Sequence, residues 1–166
     1  MPALTTGSPA PEFSLNLLGD KGKFSLDQAR AQGPVLAAFF KVSCPVCQLS
    51  FPFLERIFAA YGNGKPQIIG VSQDNAADST AFAQRFGVSF PVALDEIGKY
   101  PVSKAYGLTN VPTVFWISPE GKVEFSSVGW DKKDMERLNQ RYATAAGKPK
   151  IELFKPGESV PDYKPG

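Results

Sequence analysis

Two cysteines three residues apart, in the run Cys44-Pro45-Val46-Cys47, are the most reactive groups in this chain. Thiolate, not thiol, attacks disulfides, so the first question is where negative charge on sulfur is favoured. The pair lies where the apolar run Val35 to Phe40 hands over to a segment with helical spacing, which predicts Cys44 or Pro45 at a helix start. Free backbone N–H groups and the helix macrodipole stabilise a thiolate there, which makes Cys44 the nucleophile. Cys47 is one helical turn inward, close enough to close a short disulfide and release a bound partner. Pro45 at the first helical position forgoes a donor that has no intrahelical acceptor anyway.

Composition narrows the chemistry further. The 166-residue chain has two cysteines and no histidine. Ser-His-Asp triads, Cys-His nucleophiles and His-ligated zinc or haem are therefore excluded within one chain. A zinc site built from this CxxC would have to bridge two chains. Haem attachment fails because Gln48, not histidine, follows Cys47. Two inert core thiols are the competing reading, and the strand-to-helix position favours redox chemistry over it. No metal is expected, and no cofactor beyond a Cys44–Cys47 disulfide.

With 18 basic and 16 acidic side chains, the net charge is +2, and no basic block stands out. That argues against nucleic acid or an anionic membrane as the main partner. The N-terminal stretch Met1 to Phe13 lacks a basic region followed by an apolar one, and Val35 to Phe40 is too short to span a bilayer. A soluble cytoplasmic protein is expected, or a periplasmic one if a leader was trimmed. The expected oligomeric state is a monomer or weak dimer.

Elements that would position the thiols can be read along the chain. Residues 1–12 form an extended lead-in, and 13–146 read as one domain. Phe13 to Leu17, the turn residues Gly19 to Gly22, and Lys23 to Leu26 predict a β-hairpin. A short helical turn follows over Asp27 to Gln32. Val35 to Phe40 is apolar on both faces, as befits a central strand covered by helices. A helix with Pro52 inside it runs from Cys44 or Pro45 to Tyr61 and ends at Gly62-Asn63-Gly64. Gln67 to Ser72 is a second buried strand. Ala77 to Phe86 is a helix with Asp78 as a possible N-cap and Gly87 as its stop. A strand over Phe90 to Leu94 and a helix over Gly98 to Tyr106 come next.

Thr113 to Ser118 and Lys122 to Val128 make a second hairpin, and Asp131 caps a final helix. Trp116 is expected in the core. Trp130 either packs at the helix entry or lines a partner groove. Residues 147–166 form a Pro/Gly-rich C-terminal tail. It is either an unstructured extension or an arm that lays Ile151, Leu153, Phe154 and Tyr163 on the domain or a neighbour. Alternating βα units followed by a hairpin and a helix predict a three-layer α/β domain with a mixed sheet.

A further segment, Asn110-Val111-Pro112-Thr113, stands directly before a strand. Together with the strand Val35 to Phe40, the CxxC, Pro52 five residues beyond it, and Asp131 at a helix start, it resembles the thioredoxin superfamily over roughly residues 10–146. The long spacing between Cys47 and Pro112, with its extra helix and strand, and the hairpin beginning Pro-Ala-Pro-Glu-Phe narrow the resemblance. They look like TlpA/ResA-type thiol–disulfide oxidoreductases and the related AhpC/TSA peroxiredoxin-like branch. The resemblance implies a thioredoxin fold with a central αβ insert and a cis Pro112 facing the CxxC. It also implies that the Val111 backbone pairs with an extended substrate segment, with Pro45 and Val46 at the contact. The implied partners are a disulfide-containing protein substrate and an upstream electron donor.

The chain departs from the family at three positions. Ala38 stands where thioredoxins carry a buried Asp, and Ser50 where TlpA-type reductases carry a Glu. Ser43 replaces the usual aromatic residue before the first cysteine. Without those carboxylates, desolvation should keep Cys47 a thiol and slow release of the mixed disulfide, unless an acid such as Asp95 folds nearby. Lys41, three residues before Cys44, either favours the Cys44 thiolate through its ammonium or merely extends past Phe39 into solvent.

Two other functions compete. A peroxiredoxin-like peroxidase with antioxidant activity would need a Pro-x-x-x-Thr-x-x-Cys pattern. Counting back from Cys47 places Cys44 and Phe40 at the threonine and proline positions. A non-catalytic peptide-binding module would make the cysteines incidental.

Overall fold

The computed structural model describes residues 3–61 and 65–166, so the turn expected at 62–64 lies outside the described residues. A hairpin of β1 (Ser14–Asn16) and β2 (Lys23–Ser25) leads into the short helix α1 (Leu26–Arg30). There follow β3 (Val35–Phe40), α2 (Pro45–Tyr61), β4 (Gln67–Ser72), α3 (Ala76–Phe86), β5 (Val92–Leu94), α4 (Pro101–Ala105) and β6 (Thr113–Ile117). The chain continues through β7 (Val123–Val128), β8 (Trp130–Asp131), α5 (Lys132–Ala146) and β9 (Tyr163–Lys164).

The main sheet has the order β5-β4-β3-β6-β7. β4 runs parallel to β3 and to β5, whereas β6 is antiparallel to both β3 and β7. This is the mixed sheet expected of the fold. Every residue of the central strand β3 is buried. Its pleat sends Leu36, Ala38 and Phe40 into one apolar cluster with α2 and α5, and Val35, Ala37 and Phe39 into another with the hairpin, α1 and α4. Alternation along a strand thus builds two cores, one on each face. The layers around the sheet follow from that.

Several element boundaries differ from the sequence reading by one or more residues, three of them for a plain local reason. Asn75, not Asp78, caps α3: its side-chain oxygen accepts the Asp78 N–H at 2.8 Å, so the helix starts one residue earlier. β5 starts at Val92 rather than Phe90 because Pro91 has no N–H to give the ladder, although its carbonyl still accepts from Gly70. α4 starts at Pro101, since Gly98 at φ +89 and Tyr100 at φ +46 lie in the left-handed region, which a right-handed helix excludes. Trp116 is 3% exposed, in the core as expected.

The tail packs as an arm rather than standing free. A polar triangle, half-buried at Ile151 and buried at Tyr61 and Asn139, starts it. Tyr61 Oη donates to Asn139 Oδ1 at 2.6 Å, Asn139 Nδ2 donates to Ile151 O at 2.9 Å, and the Ile151 N–H donates to Tyr61 Oη at 3.0 Å. Leu153 is buried, and Phe154 packs against the rings of both Phe53 and Trp130. Arg56 of α2 then makes a two-pronged ion pair with Glu158, both contacts at 2.6 Å, and also donates to Leu153 O. Trp130 Nε1 donates to Pro161 O at 2.6 Å, and β9 pairs with β8. Trp130 is thus both a helix-entry core residue and the floor on which the arm lies. Tyr163 departs from expectation: the residue is 58% exposed, and the segment is held by backbone pairing instead.

Candidate active site

β3 ends at Phe40, and three loop residues carry the chain to Cys44. That loop is clamped from two directions. The Val42 N–H donates to Asp74 Oδ2 at 2.8 Å from just beyond β4, and Gln48 Nε2 of α2 donates to Val42 O at 2.9 Å. The first α-helical bond of α2 runs from the Gln48 N–H to Cys44 O at 3.0 Å, which makes Cys44 the residue that caps the helix. Its Sγ accepts the Cys47 N–H at 3.1 Å. A sulfur thus takes the place of the usual oxygen cap, aligned with one of the free donors of the first turn.

The second loop meets the first at this sulfur. Cys44 Sγ donates to Val111 O at 3.4 Å. The Val111–Pro112 peptide is cis. Thr113 Oγ1 donates to Asn110 O at 2.7 Å, and the Gly129 N–H donates to Pro112 O at 2.7 Å, so both sides of the loop are tied to β6 and β7. Cys44 and Val111 are half-buried, and with Val42 and Val46 they form a partly open apolar rim on the core. Pro45 is exposed. Folding therefore brings Cys44, Cys47, Val46, Val111 and Pro112 to one place.

The two sulfurs, both free thiols, sit in unlike surroundings. Cys47 is fully buried in the apolar cluster on the α2 face of the sheet, to which Leu36, Ala38, Phe40 and Phe51 also belong. Burial pushes its thiol well above the ordinary range, reinforced by its hydrogen bond with the Cys44 side chain and, more weakly, by the charges of Cys44 and Asp74. A hydrogen bond with the Lys41 backbone opposes this. Ser50 Oγ is spent on its own helix, donating to Val46 O at 2.7 Å, and Ala38 offers no polar group.

Asp95 is not the replacement acid. It is 2% exposed, and its carboxylate accepts the N–H groups of Val102 and Ser103 together with the Ser103 hydroxyl, which caps α4. Asp74 is the carboxylate whose charge reaches Cys47, and sequence reasoning missed it. Its only local signal is its place just past the end of a buried parallel strand, where loops of α/β sheets converge. The Lys41 side chain is exposed, and its contacts with the site run through its backbone, whose carbonyl accepts the Cys44 N–H at 3.3 Å.

A CxxC at the start of the helix after a central strand, facing a proline loop, defines the class of thioredoxin-fold thiol–disulfide oxidoreductases. The model of the AhpC/TSA family matches residues 6–126, and the chain belongs to that family as a TlpA/ResA-like member of the thioredoxin superfamily. Its relatives agree. It is 32% identical over 138 residues to the thiol-disulfide oxidoreductase ResA of Geobacillus kaustophilus (strain HTA426), covering 81% of this chain and 76% of that protein. It is 30% identical over 122 residues to ResA of Bacillus subtilis (strain 168), covering 73% and 66%.

Among solved structures, one assigned as a thiol:disulfide interchange protein DsbE from Chlorobium tepidum superposes with a TM-score of 0.73. It is 31% identical and covers 87% of this chain and 100% of that one. The thioredoxin domain of a thiol-disulfide oxidoreductase from Bacteroides vulgatus, at 23% identity and TM-score 0.71, shares the fold over 84% of this chain and 99% of its own. The chain is a thiol–disulfide oxidoreductase.

Proposed function

We propose that Cys44 is the attacking thiol, Cys47 the resolving thiol, and the Val111–Pro112 edge the place where a polypeptide substrate lies. The observation that carries this is the unequal setting of two neighbouring sulfurs. Cys44 Sγ caps a helix on a half-open rim, whereas Cys47 is buried and held as a thiol.

In the reductive direction, Cys44 thiolate attacks a substrate disulfide, forms a mixed disulfide and expels the first substrate thiolate. Cys47 then loses its proton and attacks Cys44 Sγ, which closes the Cys44–Cys47 disulfide and releases the second thiolate. Two electrons pass to the substrate, and an upstream dithiol donor restores the pair. The redox group is the cysteine pair itself. Val111 would pair through its backbone with the substrate strand, while Pro45 and Val46 flank the attacked sulfur.

Peroxide chemistry at Cys47 is disfavoured by the same observation, because a peroxidatic sulfur must be reachable and ionised. The test uses single substitutions. Cys44→Ser should abolish the acceleration that the protein gives to reduction of a peptide disulfide by dithiothreitol, whereas Cys47→Ser, mixed with the peptide disulfide alone, should still attack and accumulate a mixed disulfide visible by mass spectrometry. A Cys44→Ser protein as active as wild type would leave a binding module in place of an enzyme.

A further inference from the structure

The arm does not stop at Trp130. Past Pro161, the Lys132 N–H donates to Asp162 O at 2.9 Å, and Trp130 and Asp131 pair with Lys164 and Tyr163 in an antiparallel ladder. The chain then crosses to the proline loop, where Asn110 Nδ2 donates to Gly166 O at 2.9 Å. Two glycines permit this approach. Gly129 sits at φ +76, and a Cβ there would lie 2.5 Å from Lys164 O and 2.9 Å from Gly166 N. A Cβ on Gly166 would overlap the Val111 carbonyl. That carbonyl is the one to which Cys44 Sγ donates. The residue to which the proposed function gives substrate pairing therefore already carries a backbone neighbour, supplied by the chain itself.

We infer that residues 162–166 occupy the backbone edge beside Cys44 that an extended polypeptide substrate takes, so that arm and substrate compete for it. This rests on the reading of Val111 as the substrate-pairing residue. Arm and substrate strand are the same chemistry, an extended backbone offering N–H and C=O groups to a loop edge. The segment is built to leave. Residues 162–166 are all exposed, whereas the anchors behind them, Leu153 and Phe154, pack on the core. Backbone pairs open to water break locally at small cost, without unfolding what lies beneath. Small disulfides need only the Cys44 sulfur, so the arm selects against polypeptides that have not displaced it.

The experiment compares the full chain with a form ending at Asp162 and with Gly166→Val, which keeps every residue and forces the last one off the Val111 carbonyl. Each is given a peptide carrying one intramolecular disulfide and, separately, Ellman's reagent. An arm seated in about nine of ten molecules lowers apparent substrate affinity about tenfold, so kcat/KM for the peptide should rise about tenfold in both variants. Turnover of Ellman's reagent should change far less. The free peptide Asp-Tyr-Lys-Pro-Gly, added to the shortened protein, should slow peptide reduction again.

Equal peptide rates in all three proteins, or slower rates in the variants, would overturn the inference while leaving the oxidoreductase reading intact. If none of the three reduces the peptide disulfide, the reading of the site itself fails. Should the shortened form not fold, Gly166→Val decides alone.

Discussion

At the scale of the residue, the site turns on how differently two sulfurs three positions apart are solvated. Cys44 lies where the chain has not yet entered the helix, so its sulfur meets a free N–H. Cys47 lies one turn inside, and the same helix carries it into a core with no carboxylate in the two familiar family positions. Resolution of the mixed disulfide must therefore wait for a buried thiol to ionise. Its rate is expected to climb about tenfold per pH unit from neutral into the alkaline range, because the thiolate fraction does so below the thiol's own pKa. Stopped-flow decay of a Cys44 mixed disulfide checks this, and a flat profile contradicts it. Asp74→Asn removes a charge that opposes ionisation of Cys47 and should move the same profile toward lower pH.

At the scale of the element, strand ends and helix starts place the chemistry. The β3-to-α2 handover was legible in the sequence because an all-apolar strand, a CxxC and a helical period follow one another without interruption. The cap of α3 was less so, since Asn75 and Asp78 are both good caps and only the backbone geometry chooses between them. Asn75→Ala should cost about 1 kcal/mol in denaturant unfolding, the usual loss when a helix cap is removed. Asp78→Ala should cost clearly less, because its side chain is not the one that accepts the cap hydrogen bond. Reversal of that order would return the cap to Asp78. The adjoining loop matters for function, since Asp74 beside Asn75 is the group that holds the Val42 N–H.

At the scale of the whole molecule, the arm links the far end of α2 to the rim of the site. Asn139 is its first fastening, and it joins the buried Tyr61 hydroxyl to the half-buried Ile151 carbonyl. Asn139→Ala takes away the acceptor of the buried Tyr61 hydroxyl and should destabilise the protein by about 1–3 kcal/mol in equilibrium unfolding. A loss below about half a kcal/mol would show that the arm detaches without consequence for the core.

Glu158 is the second fastening. The hydrogen bond from Arg56, aided by the Lys155 N–H, holds its carboxyl at about 2, against an ordinary value of 4.5. A carboxyl depressed in the folded state contributes stability that is fully present above the ordinary value and is lost as pH falls toward the folded one. Between about 4.5 and about 2 the arm should therefore loosen, seen as faster amide exchange over residues 155–166. Glu158→Gln should show fast exchange already at neutral pH and little further change in that window.

What the sequence determined by itself was carried by neighbours along the chain. A continuous apolar run makes a central strand, a change of period makes a helix, and a CxxC at their junction puts one thiol at a helix start and the other inside it. Those inferences need only a few consecutive residues, because strand pleat and helix pitch are local geometry. Tertiary structure alone decided which acid reaches Cys47, that Asp95 is spent on α4, and that Gly166 lies against Val111. Asn110 and Gly166 lie 56 positions apart, Asn139 acts on Tyr61 78 positions away, and Arg56 meets Glu158 across 102. No period or spacing encodes such pairs. They arise when two surfaces, each already shaped by its own local rules, are pressed together and their polar groups must find partners.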